Sequence, residues 1–154
     1  MRLVDVHAHL DFPDFQEDLP KVVERAQGVG VKAIISNGTD PESNRRVLEL
    51  GKKYDVIKPA LGFYPTDITK YNEEELFNEL EFIKEKKPIA IGEVGLDKKW
   101  GDNNLEKDYK LQKRRFQEII KLAEKIKRPM ILHTRKAELD VIELMESSKV
   151  KNVD

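Results

Sequence analysis

The chain has 154 residues, of which 39% are hydrophobic and 37% are charged. Its 28 basic and 29 acidic residues leave a formal net charge of -1, so net charge gives no reason to expect bulk attraction to nucleic acid. The sequence contains no cysteine, which excludes disulfide bonds and thiolate metal sites and leaves histidine and carboxylate as the ligands for a metal.

Short apolar runs alternate with longer amphipathic runs along the chain. The apolar runs predict strands over residues 3–6, 31–35, 56–61, 89–91 and 130–132. The amphipathic runs predict helices over residues 19–27, 41–54, 73–86, 105–127 and 136–147. Asp40 and Asn72 are predicted to cap the helices that they precede, the first with Pro41 in the first helical position. Residues 150–153 are predicted to begin a sixth strand.

The alternation of strands and helices predicts an α/β fold with a parallel sheet and crossover helices. Two architectures fit this pattern, an open doubly wound sheet and a (β/α) barrel. A complete eight-stranded barrel typically takes about 250 residues, so a barrel built from this chain would lack about three of its βα units. No linker, repeat or low-complexity segment divides the sequence, and residues 1–154 are therefore predicted to form a single domain.

The chain has three histidines, and each lies at or just after the end of a predicted strand. Ligands bind at the carboxyl ends of the strands in parallel sheets and barrels. His7 and His9 are two residues apart, so on a strand they project to the same side, as a pair of metal ligands requires. The alternative is a pair of solvated histidines at a polar strand end. Asp5 is either an acceptor that orients an imidazole or a structural hydrogen-bonding residue.

The segment after the fourth predicted strand carries Glu93 between Gly92 and Gly95. A carboxylate has two oxygens and can bridge two cations, but taken alone this segment fits better a solvent-facing Glu in a glycine-rich turn. His133 and then Arg135 follow the fifth predicted strand. This order fits a metal ligand followed by a residue that contacts an anion. The alternatives are a buried histidine with satisfied hydrogen bonds and a surface salt bridge.

Basic residues are frequent in the predicted helix 105–127, where they are interleaved with acidic residues. This pattern favours a solvated helix face over a surface that binds a phosphate backbone. The single tryptophan, Trp100, is predicted to pack structurally rather than to stack on a base.

Taken together, three segments resemble the TatD family of metal-dependent deoxyribonucleases in the amidohydrolase superfamily. They are DVHAHLD at 5–11, IGEVGLD at 91–97, and a third stretch that includes Gln112, Phe116 and the run PMILH at 129–133. The resemblance extends over essentially the whole chain. It implies a TIM-type (β/α) barrel, truncated here after about five βα units.

The resemblance also implies a set of metal ligands. His7 and His9 would hold one divalent ion, Glu93 would bridge it to a second, and His133 would bind that second ion. The ions implied are two of Zn, Mg or Mn, and the family has two later ligands that would lie beyond Asp154. Glu93 and Arg135 are the expected catalytic residues.

One position departs from the family pattern. The family commonly has Gly-x-His-Pro after the third strand, whereas this sequence has Tyr64 in place of the histidine. A phenol titrates near pH 10, so we expect Tyr64 to contact substrate, together with Arg135, and not to transfer protons.

The expected function is therefore hydrolysis of phosphodiester bonds in DNA by a water that two metal ions activate. The alternatives are hydrolysis of another phosphoester or of a small-molecule ester, lactone or amide, and a truncated fragment without activity. The sequence has neither a signal-peptide run nor about 20 consecutive apolar residues, so we expect a cytoplasmic chain without membrane association. A five-unit sheet has open edges, which favours self-association.

Overall fold

The computed structural model describes residues 2–98 and 105–148. Strands and helices alternate along this part of the chain. The strands are β1 Leu3–Ala8, β2 Val31–Asn37, β3 Ile57–Leu61, β4 Ala90–Asp97 and β5 Met130–Arg135. The helices are α1 Leu19–Gly28, α2 Pro41–Lys53, α3 Glu73–Lys86, α4 Leu105–Ile126 and α5 Glu138–Ser147. The strand predicted over 150–153 and Trp100 lie outside the described residues.

The described strands form one parallel sheet in the order β1-β2-β3-β4-β5. Each strand lies beside its neighbour in sequence, and a helix follows each strand. A doubly wound sheet reverses its strand order at a switch point, whereas a barrel keeps the order of the sequence. The strand order therefore decides between the two predicted architectures, and the fold is a TIM-type (β/α) barrel with five βα units described.

The strands that end at the candidate ligands are longer than predicted. β4 continues to Asp97 because Gly95 pairs with His133 and Asp97 pairs with Arg135 across the ladder to β5. A Cβ on Gly95, whose φ is +143°, would lie 2.1 Å from the carbonyl oxygen of His133. Glycine permits this approach, and strand pairing overrides its weak strand propensity. The interpretation of 92–95 as a turn is therefore wrong.

The helix starts follow the predicted capping chemistry. The Asp40 side chain accepts a hydrogen bond from the Ser43 backbone N–H at 2.8 Å, and Pro41 takes the first helical position. Asn72 and Glu75 form a reciprocal capping box at the start of α3. Both predicted caps are confirmed. The chain also contains short 3-10 turns at Pro13–Phe15 and Asp67–Lys70, which sequence periodicity does not reveal because each is a single turn.

Two hydrophobic clusters lie within the described residues. The larger packs α2 to α5 against β3, β4 and β5, and Leu61, Phe63, Leu96, Phe116 and Ile120 are among its most buried members. The smaller packs α1 against the first strands and contains Leu10, Leu19, Val23, Ile34, Val56 and Ile57. All of β4 is buried, whereas most of β1 is exposed. Val4 and Val6 are 57% and 61% exposed on the outer face of that edge strand.

The basic residues of α4 are largely engaged by acidic partners. Lys110 pairs with Glu106 at 2.8 Å along the helix, and Lys113 pairs with Asp140 of α5 at 2.5 Å. These exposed ion pairs fit the predicted solvated face, except at Arg115, which is buried. Within the described residues, no helix combines the length and apolar character that crossing a bilayer requires.

Candidate metal centre

Three side chains from the ends of the non-adjacent strands β1 and β4 meet at the carboxyl edge of the sheet. The Nε2 atoms of His7, in β1, and His9, directly after β1, lie 3.2 Å apart. They lie 3.3 Å and 3.2 Å, respectively, from Oε2 of Glu93 in β4. The alternation of side chains along β1 brings the two histidines to one side, and the extension of β4 places Glu93 opposite them.

The spacing of these three atoms fits a divalent cation. A tetrahedral ion with ligand bonds of about 2.0 Å has ligand atoms about 3.3 Å apart. The three ligand atoms form a nearly equilateral triangle with edges of 3.2 to 3.3 Å. Imidazole nitrogen and carboxylate oxygen are ligand atoms that zinc and manganese bind. Glu93 is buried while His7 is partly exposed, so the triangle has a buried side and a side open to solvent.

A backbone carbonyl orients the ring of His9, whereas Asp5 contacts only the backbone of His7. Nδ1 of His9 lies 2.9 Å from the carbonyl oxygen of Asn37, so its N–H donates there and leaves Nε2 for a cation. The Asp5 carboxylate accepts from the backbone N–H of His7 at 3.0 Å and holds the strand, not the imidazole. Of the two roles predicted for Asp5, the geometry therefore fits a structural hydrogen-bonding residue and not an acceptor that orients an imidazole. The contact of Asn37 with His9 could not be predicted from the sequence, because every residue type has the same backbone carbonyl.

His133 lies on the other side of the same carboxylate. Its Nδ1 atom is 2.7 Å from Oε1 of Glu93, and its Nε2 atom is 2.9 Å from Oδ2 of Asp97. The two oxygens of Glu93 thus face different histidines, which is the arrangement of a bridging carboxylate. Asp97 was not predicted as a site residue. Had 91–97 been predicted as a strand, the even spacing from Glu93 to Asp97 would have placed both on one face.

Tyr64 and Arg135 lie beside His133. The Tyr64 hydroxyl donates to Oδ2 of Asp97 at 3.1 Å and lies 3.5 Å from Nε2 of His133. Arg135, at the end of β5, hydrogen-bonds Tyr64. Burial, followed by the hydrogen bond to Asp97, raises the pKa of Tyr64 to about 12. The phenol is therefore neutral across the physiological range and is a hydrogen-bonding group, as predicted from its residue type.

The charges of the centre are mutually dependent. Burial is the largest effect on Glu93 and opposes its ionisation, but hydrogen bonds from His133 and His9 outweigh it and hold the pKa of this carboxyl well below its usual value. Hydrogen bonding to Glu93 raises the pKa of His9 and of His133 against the opposing effect of burial. Before any cation binds, the centre is therefore an ionised carboxylate between imidazoles that hold protons readily.

Comparison with known proteins identifies the family of the chain. The model of the TatD related DNase family matches residues 4–154. An uncharacterized metal-dependent hydrolase of Bacillus subtilis, YabD, is 36% identical over 151 residues, covering 98% of this chain and 58% of its own length. The human deoxyribonuclease TATDN3 is 30% identical over 162 residues, covering 98% of this chain and 58% of its own.

A solved structure gives the same result in three dimensions. The crystal structure of YjjV, a TatD homologue from Escherichia coli, superposes with a TM-score of 0.84 at 33% identity. The superposition covers 95% of this chain and 56% of that one. The chain thus spans little more than half the length of the curated relatives it matches. With a family match over nearly its whole length, the chain belongs to the TatD related DNase family.

Proposed function

We propose that this chain carries the metal-binding part of a hydrolase that cleaves phosphodiester bonds in DNA. One observation carries the proposal: Oε2 of Glu93 completes a cation-sized triangle with His7 and His9, while Oε1 faces His133. The name of the human relative, a deoxyribonuclease, supports DNA as the substrate. The name of the Bacillus relative, a metal-dependent hydrolase, supports the need for a metal.

The proposed cofactor is a pair of divalent ions, Zn, Mg or Mn. His7, His9 and Glu93 would hold the first ion, and Glu93 with His133 would contribute to the second. The support is the donor set itself, because nitrogen and carboxylate oxygen atoms converge on the two sides of Glu93. The first position has three protein ligands and is therefore the one expected to bind more tightly.

The substrate would lie across the open side of the centre. Divalent ions held there would activate water as a nucleophile and neutralise the negative charge that develops on the phosphoryl oxygens. Arg135 would hold a phosphate oxygen through its planar guanidinium, and the neutral Tyr64 hydroxyl would turn its single O–H from Asp97 toward the phosphate. Glu93 would keep the ligand geometry fixed, because it is buried and bonded to histidines on both oxygens.

The test is cleavage of an end-labelled single-stranded DNA by the chain in the presence of Zn, Mg or Mn. We expect cleavage that requires the metal and that His7→Ala abolishes. Val6→Ala is the matched control, since Val6 is exposed on the opposite face of β1 and its removal leaves the centre intact. Turnover of a small-molecule ester, lactone or amide without DNA cleavage would overturn the DNA assignment. Absence of all turnover would favour the alternative of an inactive fragment.

We also propose that copies of the chain associate through their sheet edges. β1 and β5 are the edge strands of the described sheet, and the exposed Val4 and Val6 give the β1 edge an apolar outer face. Sedimentation velocity should show a species larger than the monomer, and Val6→Lys should shift it toward the monomer. A monomer at all concentrations would contradict the proposal.

A further inference from the structure

A buried amide ties helix α4 to the end of strand β4. Oε1 of Gln112 accepts from the backbone N–H of Asp97 at 2.9 Å, and Nε2 of Gln112 donates to the backbone carbonyl of Asp97 at 3.2 Å. Gln112 is 2% exposed and Asp97 is 1% exposed. One side-chain amide therefore satisfies both polar groups of one peptide position, which fixes the place and direction of the Asp97 backbone.

From this anchored position the Asp97 carboxylate reaches the candidate centre. Its Oδ2 atom lies 2.9 Å from Nε2 of His133, while Nδ1 of the same ring lies 2.7 Å from Oε1 of Glu93. That contact leaves Oε2 of Glu93 facing His7 and His9. A continuous hydrogen-bonded path thus runs from Gln112 through Asp97 and His133 to the bridging carboxylate.

We propose that Asp97 is a positioning residue, which holds His133 through Nε2 so that the ring presents Nδ1 to Glu93 and thereby orients that carboxylate. The metal part of this inference rests on the proposed function. A carboxylate on one ring nitrogen of a histidine keeps the proton on that nitrogen and leaves the other for a cation. Asp97 itself has no atom in the His7–His9–Glu93 triangle, so its effect on a bound ion is transmitted through His133.

The direct test is the position of the proton on His133. The chain has three histidines, so long-range proton–nitrogen NMR spectra of ¹⁵N-histidine protein contain one set of ring signals for each. We expect His133 Nε2 to keep its proton at a fixed position, both without metal and after zinc is added. In Asp97→Ala, Nε2 should lose this proton, whereas in the metal-free protein Nδ1 keeps the proton that it donates to Glu93. A zinc-bound Nε2, or an averaged ring in the parent chain, would overturn the inference.

Zinc affinity gives a second readout, measured by competition with a chromophoric chelator. Loss of a group that orients metal ligands costs about 10- to 100-fold in affinity. We expect Asp97→Ala to fall in that range and the isosteric Asp97→Asn, which keeps an uncharged acceptor, to lose about tenfold. Asp97→Asn keeps the test open if the alanine variant fails to fold. Affinity within twofold of the parent in either folded variant would overturn the inference.

The matched control is Asp40→Asn. This change also removes one carboxylate charge beyond the end of a strand, but asparagine caps a helix as well as aspartate does, and Asp40 makes its side-chain contact with Ser43. Zinc affinity should stay at the parent value. If zinc leaves the signals of His7 and His9 unchanged in the parent, the proposed metal centre fails, and the metal-free spectra still decide whether Asp97 holds His133.

Discussion

Nδ1 of His133 lies 2.7 Å from Oε1 of Glu93, while the other oxygen of that carboxylate lies 3.2 Å from Nε2 of His9. One glutamate therefore joins the first and the last described strands of the sheet at their carboxyl ends. Its removal is expected to do more than delete one ligand, because it also frees the histidines that it holds in place.

Substitution of Glu93 by Gln should abolish tight zinc binding. The amide keeps the size of the side chain but loses the charge and offers only one acceptor oxygen, so it cannot serve both sides of the centre. We expect the zinc dissociation constant to rise by more than about 100-fold, beyond the range seen when only an orienting group is lost. Thr134→Ala is the control, since Thr134 is exposed between His133 and Arg135. Parent-like zinc binding by the Gln variant would exclude Glu93 as a ligand.

Zinc affinity should fall as the pH is lowered from 8 to 6. The pKa values of His9 and His133 are raised above the ordinary value of 6.5, chiefly by hydrogen bonds to Glu93. A raised pKa means that protons begin to compete with the cation at a higher pH than for a free imidazole. Glu93 stays ionised throughout because its pKa is lowered. Chelator competition at a series of pH values measures the effect, and an affinity independent of pH in this range would contradict it.

The same shifts predict how stable the metal-free chain is. The two histidines contribute stability that is fully present below their unfolded pKa of about 6.5 and is lost as the pH rises through their higher folded values. The free energy of unfolding without metal should therefore be greater at pH 6 than at pH 9. Urea titrations in the presence of a chelator measure it. Equal stability at both pH values would show that the histidines do not interact with Glu93 as described.

Substitution of Tyr64 by Phe should weaken turnover without changing its pH dependence. The phenol has one hydrogen bond to donate near the proposed phosphate position. Such a bond to a charged group is worth about 1.5 kcal/mol, so its loss should lower kcat/KM about tenfold. Because its pKa is raised to about 12, Tyr64 does not titrate between pH 6 and 9. The profile of kcat/KM against pH on single-stranded DNA should keep its shape. A lost limb in the Phe variant would assign proton transfer to Tyr64.

Substitution of Asp140 by Asn should destabilise the junction of α4, α5 and β4. Asp140 accepts from Lys113 at 2.5 Å and from Lys98 and Tyr109 at 2.6 Å. These contacts, Lys113 first, hold the pKa of Asp140 below its usual value. Its stabilising effect is therefore present above the unfolded pKa of about 3.9 and is lost as the pH falls through the lower folded value.

We expect a loss of about 1 kcal/mol at pH 7, modest because solvent screens the ion pairs. The difference between parent and variant should begin to shrink only below about pH 4, and it should disappear as the pH falls through the lower folded pKa of Asp140. Urea unfolding at pH 7 and at a series of acid pH values measures both expectations. An undiminished difference in acid would show that the charge of Asp140 is not responsible.

The sequence predicted the alternation of strands and helices, the caps at Asp40 and Asn72, and the strand ends at which the histidines lie. These features depend on local sequence, namely on the periodicity of the apolar residues and on the residue type that precedes a helix. The full length of β4 was not predictable in this way, because its glycines remain extended only through pairing with His133 and its neighbours in β5. The role of Asp97 was missed for the same reason, since its partners Gln112 and His133 are distant in sequence.

The ligands of the candidate centre lie on strands that pack into different hydrophobic clusters. His7 and His9 belong to the strand end that packs with the smaller cluster, and Glu93 belongs to β4, which is buried in the larger one. A cation held by all three would act as a cross-link between two separately packed halves of the sheet. Amide hydrogens of the exposed strand β1 should then exchange with solvent more slowly after zinc is added, while those of β4 are already protected without it.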